Sequence, residues 1–85
     1  MKEFSYIIQD PLGLHSRPAG ILVKEAAKYS SAITLEREGS IANAKSIIHV
    51  MRLAVKNGDY IKISCCGEDE ELASGALKSL LETSL

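Results

Sequence analysis

Hydrophobic positions along this chain alternate between a period of two and a period near 3.6, and each switch marks a new element. Residues 2–9 alternate, with Phe4, Tyr6 and Ile8 on one side of a strand that Asp10-Pro11 and Gly13 bring to a close. Residues 16–28 set Ala19, Leu22, Val23, Ala26 and Ala27 at helical spacing and turn Lys24, Glu25 and Lys28 toward water. Residues 32–37 and 40–44 read as two strands joined around Glu38-Gly39, with Ile33, Leu35 and Ile41 pointing inward. Residues 46–55 are apolar almost all round and stop before Asn57-Gly58-Asp59, which suits a short helix. Residues 60–66 alternate again, Ile61, Ile63 and Cys65 on one face and Tyr60, Lys62, Ser64 and Cys66 on the other. Beyond Gly67 the acidic residues 68–71 suit a helix start, and Leu72, Ala73, Ala76, Leu77, Leu80 and Leu81 form its apolar stripe.

The order βαββαβα predicts an α+β fold. Amphipathic helices must bury their stripes, and the simplest way is an open-faced β-sandwich, a four-stranded, mainly antiparallel sheet with three helices on one face. A chain of 85 residues holds one such domain, spanning 1–85, and has no room for a catalytic cleft between two domains. Ten basic against eleven acidic residues leave a net charge of -1, which gives no footprint for nucleic acid. The first ten residues carry no apolar leader and no run reaches bilayer length, so a cytoplasmic protein without membrane insertion is expected. Cys65 and Cys66 are adjacent, a poor geometry for a disulfide in a strand, and with two scattered histidines they form no zinc set; no metal or cofactor is expected.

Candidate chemistry concentrates in Gly13-Leu14-His15-Ser16-Arg17-Pro18. Pro18 has the fixed φ of a first helical turn, where its missing N–H costs nothing. A helix opening at residues 16–18 leaves backbone N–H groups without partners and a dipole that favours an anion, so Ser16, Arg17 and Pro18 form a phosphate-binding helix start. His15 stands at its lip. Part of an ordinary imidazole is unprotonated near neutral pH, which supplies a nitrogen able to attack phosphorus, and Arg17 can fork two donors onto phosphoryl oxygens. On spacing alone a surface histidine beside a helix is an equal alternative. Ser46 opens the second helix, where a serine is by default an N-cap. That helix cannot turn Ile47, Ile48, Val50, Met51, Leu53, Ala54 and Val55 all toward one core; Val50 and Leu53 are the core candidates, and the rest leave an exposed apolar patch of the kind that marks interfaces. Lys24, Lys28, Lys45 and Arg52 can add positive charge around it.

Taken together, the 13–19 segment, the element order and Asn43-Ala44-Lys45-Ser46-Ile47-Ile48 resemble HPr, the histidine-containing phosphocarrier family of the bacterial sugar phosphotransferase system, over essentially the whole chain. The resemblance implies that His15 accepts a phosphoryl group on Nδ1 from enzyme I and passes it to IIA components of sugar permeases, with Arg17 as its phosphate partner. It implies a carrier rather than an enzyme, acting as a monomer. It also implies regulation at Ser46 by an ATP-dependent HPr kinase/phosphorylase, after which the protein serves as corepressor for the catabolite-control repressor, and it places Ile47, Ile48 and Met51, with Arg52 beside them, on the docking surface. Leu12 stands where the family usually carries a small polar residue, and His49 where proteins of the Ser46 type usually carry glycine; Arg52 and Ala54 are also uncommon there. Two alternatives remain at this point. One is a regulatory module that works mainly through phospho-Ser46, against which His15 argues. The other is a nitrogen-branch carrier with the same chemistry.

Overall fold

A computed structural model describes residues 1–84. The elements are β1 (Lys2–Ile7), α1 (Ser16–Ala26), β2 (Ala32–Arg37), β3 (Ser40–Asn43), α2 (Ile47–Arg52), β4 (Tyr60–Cys66) and α3 (Glu70–Ser84). All strand pairs are antiparallel and the sheet order is β1-β4-β2-β3, so β4 enters last in the sheet and fills the gap between β1 and β2. The open-faced α+β architecture expected from the element order is the one observed.

Register explains the core. Phe4, Ile63, Leu35 and Ala42 lie opposite one another across the four strands, and this row faces the helices with Ile61, Cys65 and Ile33. The row one residue away, Ser5, Lys62, Glu36 and Ile41, faces solvent, where Lys62 Nζ lies 3.7 Å from Glu3 and 3.5 Å from Glu36. Ile41 was expected to point inward and does not; it is 65% exposed, because pairing Leu35 with Ala42 fixes the parity of β3 and gives the inward place to the smaller residue.

The helices cover one side of the sheet: α3 lies over β1 and β4, α1 packs against α3 and α2, and α2 borders β3. Ala19, Leu22 and Ala26 of α1 and Ala73, Leu77 and Leu81 of α3 are buried. Both stripes are narrower than expected. Leu72 is 68% exposed, and Ala27 lies outside α1 and faces water, because the last turn tightens through Lys28 N–H to Glu25 O and Tyr29 N–H to Ala26 O, 3.1 and 3.2 Å. Glu25, expected in water, is half-buried and accepts from Lys28 Nζ and Tyr29 Oη at 3.0 and 3.2 Å. The first strand stops at Ile7 rather than residue 9, although Ile8 remains buried and exchanges backbone hydrogen bonds with Asp59 and Gly58.

The second helix differs most. It runs Ile47–Arg52, not 46–55, and the chain leaves it through Ala54 at a left-handed φ of 51°. Val50 and Leu53 are buried as expected, and unwinding after Leu53 lets Val55 bury too, with its carbonyl accepting Leu14 N–H at 3.0 Å. Arg37 Nη1 donates to the Leu53 carbonyl at 3.2 Å and so satisfies the end of the shortened helix.

Candidate functional site

The loop between β1 and α1 is built on Asp10. Its carbonyl accepts Gly13 N–H and its Oδ1 accepts Leu12 N–H, both at 2.8 Å, which folds residues 10–13 into a tight turn. Gly13 has φ +70° and packs so closely on the 55–56 backbone that an added Cβ would lie 2.7 Å from Lys56 Cα. Leu14 follows, buried and tied to Val55. This anchor presents the next residue, His15, at the N-cap of α1, where its carbonyl accepts Ala19 N–H at 2.9 Å.

The His15 side chain makes no capping hydrogen bond. Its imidazole is therefore not spent on closing the helix, unlike an N-cap serine or aspartate. It is 34% exposed, and Nε2 lies 3.7 Å from Asp10 Oδ2. Arg17 is exposed and Pro18 buried, and these two share a shallow cleft with Asp10, His15, Ile21 and Ser84. The first turn of α1 has no acidic residue, so nothing on the helix itself opposes an anion drawn to its N-terminus. Pro18 has no N–H to give and Ala19 N–H is used by His15, which leaves Ser16 and Arg17 as the backbone donors of that turn. Ser16 is exposed and does not line the cleft with the others.

Ser46 is the N-cap of α2, and its Oγ accepts His49 N–H at 3.4 Å. Asn43 sets up this start, its carbonyl accepting Ser46 N–H and its Oδ1 accepting Lys45 N–H. Ile47, Ile48 and Met51 are exposed, and with Arg52 they line an apolar hollow separate from the His15 cleft. Helix α1, which lines the His15 cleft, also approaches this hollow: a Cβ on Gly20 would sit 3.8 Å from Ile47 Cδ1. Lys45, expected as rim charge, has another task, since its Nζ donates to the Tyr29 carbonyl at 2.6 Å and ties the start of α2 to the loop that follows α1. Lys28, another of these lysines, pairs with Glu25.

Sequence reasoning missed Asp10, Ile21 and Ser84. Asp10 carries a signal, because an Asp side chain commonly accepts the backbone N–H two residues on, but by pattern alone it marks only the end of a strand. Ser84 has none, since only the packing of α3 brings the far end of the chain to His15. Cys65 is buried, which pushes its thiol pKa up, and Cys66 is exposed. Among the described residues no group of His, Cys, Asp or Glu gathers as a metal site, and no helix is long and apolar enough to cross a membrane.

Comparison with known proteins follows the same lines. The family described as PTS HPr component phosphorylation site matches residues 2–83. Phosphocarrier protein HPr of Mycoplasma genitalium is 45% identical over 83 residues, covering 96% of this chain and 94% of the relative. Among solved structures, a Mycoplasma histidine-containing phosphocarrier protein superposes with a TM-score of 0.95 at 43% identity, covering 98% of this chain and 94% of its own. An HPr dimer from Thermoanaerobacter tengcongensis matches with a TM-score of 0.78 at 44% identity, covering 98% and 95%.

Proposed function

The chain belongs to the HPr family of phosphocarriers of the phosphotransferase system, carriers rather than enzymes, and from that membership we propose that His15 is its phosphoryl acceptor and Arg17 the group that binds the phosphoryl oxygens. The observation that carries the proposal is the N-cap position of His15 with its side chain unused by the cap, in one cleft with Arg17. A carrier has to give its phosphate away, so deep enclosure of the phosphohistidine would oppose delivery. A shallow cleft at a helix start stabilises the added charge and leaves it within reach of a second protein.

On this reading the donor is phospho-enzyme I and the acceptors are IIA components. Residues 1–85 act as one domain, in the cytoplasm, and as a monomer. Ile47, Ile48 and Met51, rimmed by Arg52, are the docking patch, and Ser46 is the regulatory site for an HPr kinase/phosphorylase, its seryl-phosphorylated form addressing a catabolite-control repressor. A phosphate on Ser46 would change the charge beside the docking patch with little effect on the fold. The test is incubation with enzyme I and labelled phosphoenolpyruvate. We expect an acid-labile, base-stable label that disappears in His15→Ala while the melting temperature stays unchanged. Absence of label in the wild type, or its survival in His15→Ala, overturns the proposal.

A further inference from the structure

One ring nitrogen of His15 faces a carboxylate. Nε2 lies 3.7 Å from Asp10 Oδ2, and the carboxylate that supplies this oxygen is itself held, its other oxygen by Leu12 N–H and its main-chain carbonyl by Gly13 N–H. Both side chains are half-buried, at 34% and 25% exposure, so water screens the pair less than it would on an open surface. Asp10 is therefore built into the loop with one oxygen left for the imidazole.

We propose that Asp10 is the positioning residue of the carrier step: its carboxylate keeps the imidazole proton on Nε2 and so reserves the Nδ1 lone pair as the nucleophile. The inference rests on the reading of His15 as phosphoryl acceptor. A carboxylate beside one ring nitrogen favours the tautomer that points N–H at it and disfavours the one that points a lone pair at it. At 3.7 Å the contact is too long for a hydrogen bond, so in the free protein the carboxylate acts on the neutral ring through its field.

The bookkeeping of the transfer shows why this matters. Nδ1 attacks phosphorus, the Nδ1–P bond forms, and the bond from phosphorus to the donor atom breaks with its electron pair leaving on the donor. The ring keeps its Nε2 proton and becomes positively charged opposite Asp10. In delivery the Nδ1–P pair returns to Nδ1 and the same proton is still on Nε2. No proton enters or leaves the ring in either direction. Placing the negative charge on the Nε2 side also keeps it away from the phosphoryl oxygens that Arg17 is to bind.

Asp10→Asn separates charge from turn formation, because the amide oxygen can still accept Leu12 N–H. Imidazole 15N shifts of the wild type should show the Nε2–H tautomer dominant; a dominant Nδ1–H tautomer overturns the proposal without any variant. In Asp10→Asn the Nε2–H fraction should fall, and kcat for transfer from phospho-enzyme I should drop about tenfold with KM unchanged. Unchanged tautomer and kcat in a folded Asp10→Asn would reduce Asp10 to a turn-former and sink the idea. The tautomer is read without any donor, so a wild type that shows it but takes no label refutes the carrier reading and not the placement of the proton.

Discussion

Gly13 shapes the loop that presents His15. Its φ of +70° belongs to the left-handed region, and the space where a Cβ would lie is occupied by Val55 O and Lys56 Cα. Gly13→Ala should therefore destabilise twice over, by about 1–2 kcal/mol for the conformation and about 1–3 for the displaced backbone, a total of about 2–5 kcal/mol. Gly39 is the internal control. Its φ is +85° but nothing lies within 4 Å of an added Cβ, so Gly39→Ala should cost only the first of these. Urea unfolding of the two variants checks the difference. At this scale the sequence predicts His15, Arg17 and Pro18 together at a helix start, and the structure places the three in one cleft there. The sequence was not legible for Asp10, whose role depends on a distance to His15 that the turn creates. Leu12 shows the same limit: its side chain points to solvent, and its contribution is a backbone N–H on Asp10.

Beside their local caps, the helix ends are tied to residues far away in the sequence. The loop after α1 takes Lys45, the α2 end takes Arg37, which is itself fixed by Asp59 at 2.7 Å, and the α3 start is clamped to that same loop by Asp69. Asp69 accepts the N–H groups of Ser30 and Ser31 at 2.9 and 3.0 Å together with the Ser31 hydroxyl, so one carboxylate joins the start of α3 to the loop after α1. The Ser31 hydroxyl first, and then the backbone donors, hold its pKa down to about 2, against 3.8 for an unperturbed carboxyl. A depressed folded-state value means that the contribution is fully present above about pH 3.8 and fades as pH falls toward 2. Asp69→Asn should accordingly lower the melting temperature near neutral pH, and the gap to wild type should close between pH 4 and 2; thermal melts followed by circular dichroism across that range measure it. The acidic run 68–71 was readable as a helix start, and the clamp was not, because its partners lie 38 and 39 residues away.

Over the whole molecule, the two hydrophobic periods sufficed for the order and type of every element, because each element's period is local. Strand neighbours are not local, so the order β1-β4-β2-β3 and the outward turn of Ile41 had to come from the structure. The same layout divides the surface by task. The sheet's free face carries the Lys62 ion pairs with Glu3 and Glu36 beside exposed Ile7, Ile41 and Tyr60, and the exposed apolar side chains of α2 lie beside α1, the helix that His15 caps. If that patch seats the phosphoryl donor, its substitution should affect encounter and leave both chemistry and fold alone. Ile48 is 62% exposed, so Ile48→Asp removes no core packing and should shift stability by no more than about 0.5 kcal/mol. A carboxylate set into an apolar contact loses its water without gaining a partner, and a penalty of about 1.4 kcal/mol corresponds to a tenfold weaker complex. Steady-state transfer from phospho-enzyme I should then show KM raised about tenfold or more at nearly constant kcat, the opposite split from Asp10→Asn. Val50→Asp, two residues along the same helix but buried at 1% exposure, should instead abolish the cooperative melt, because there the carboxylate enters the core.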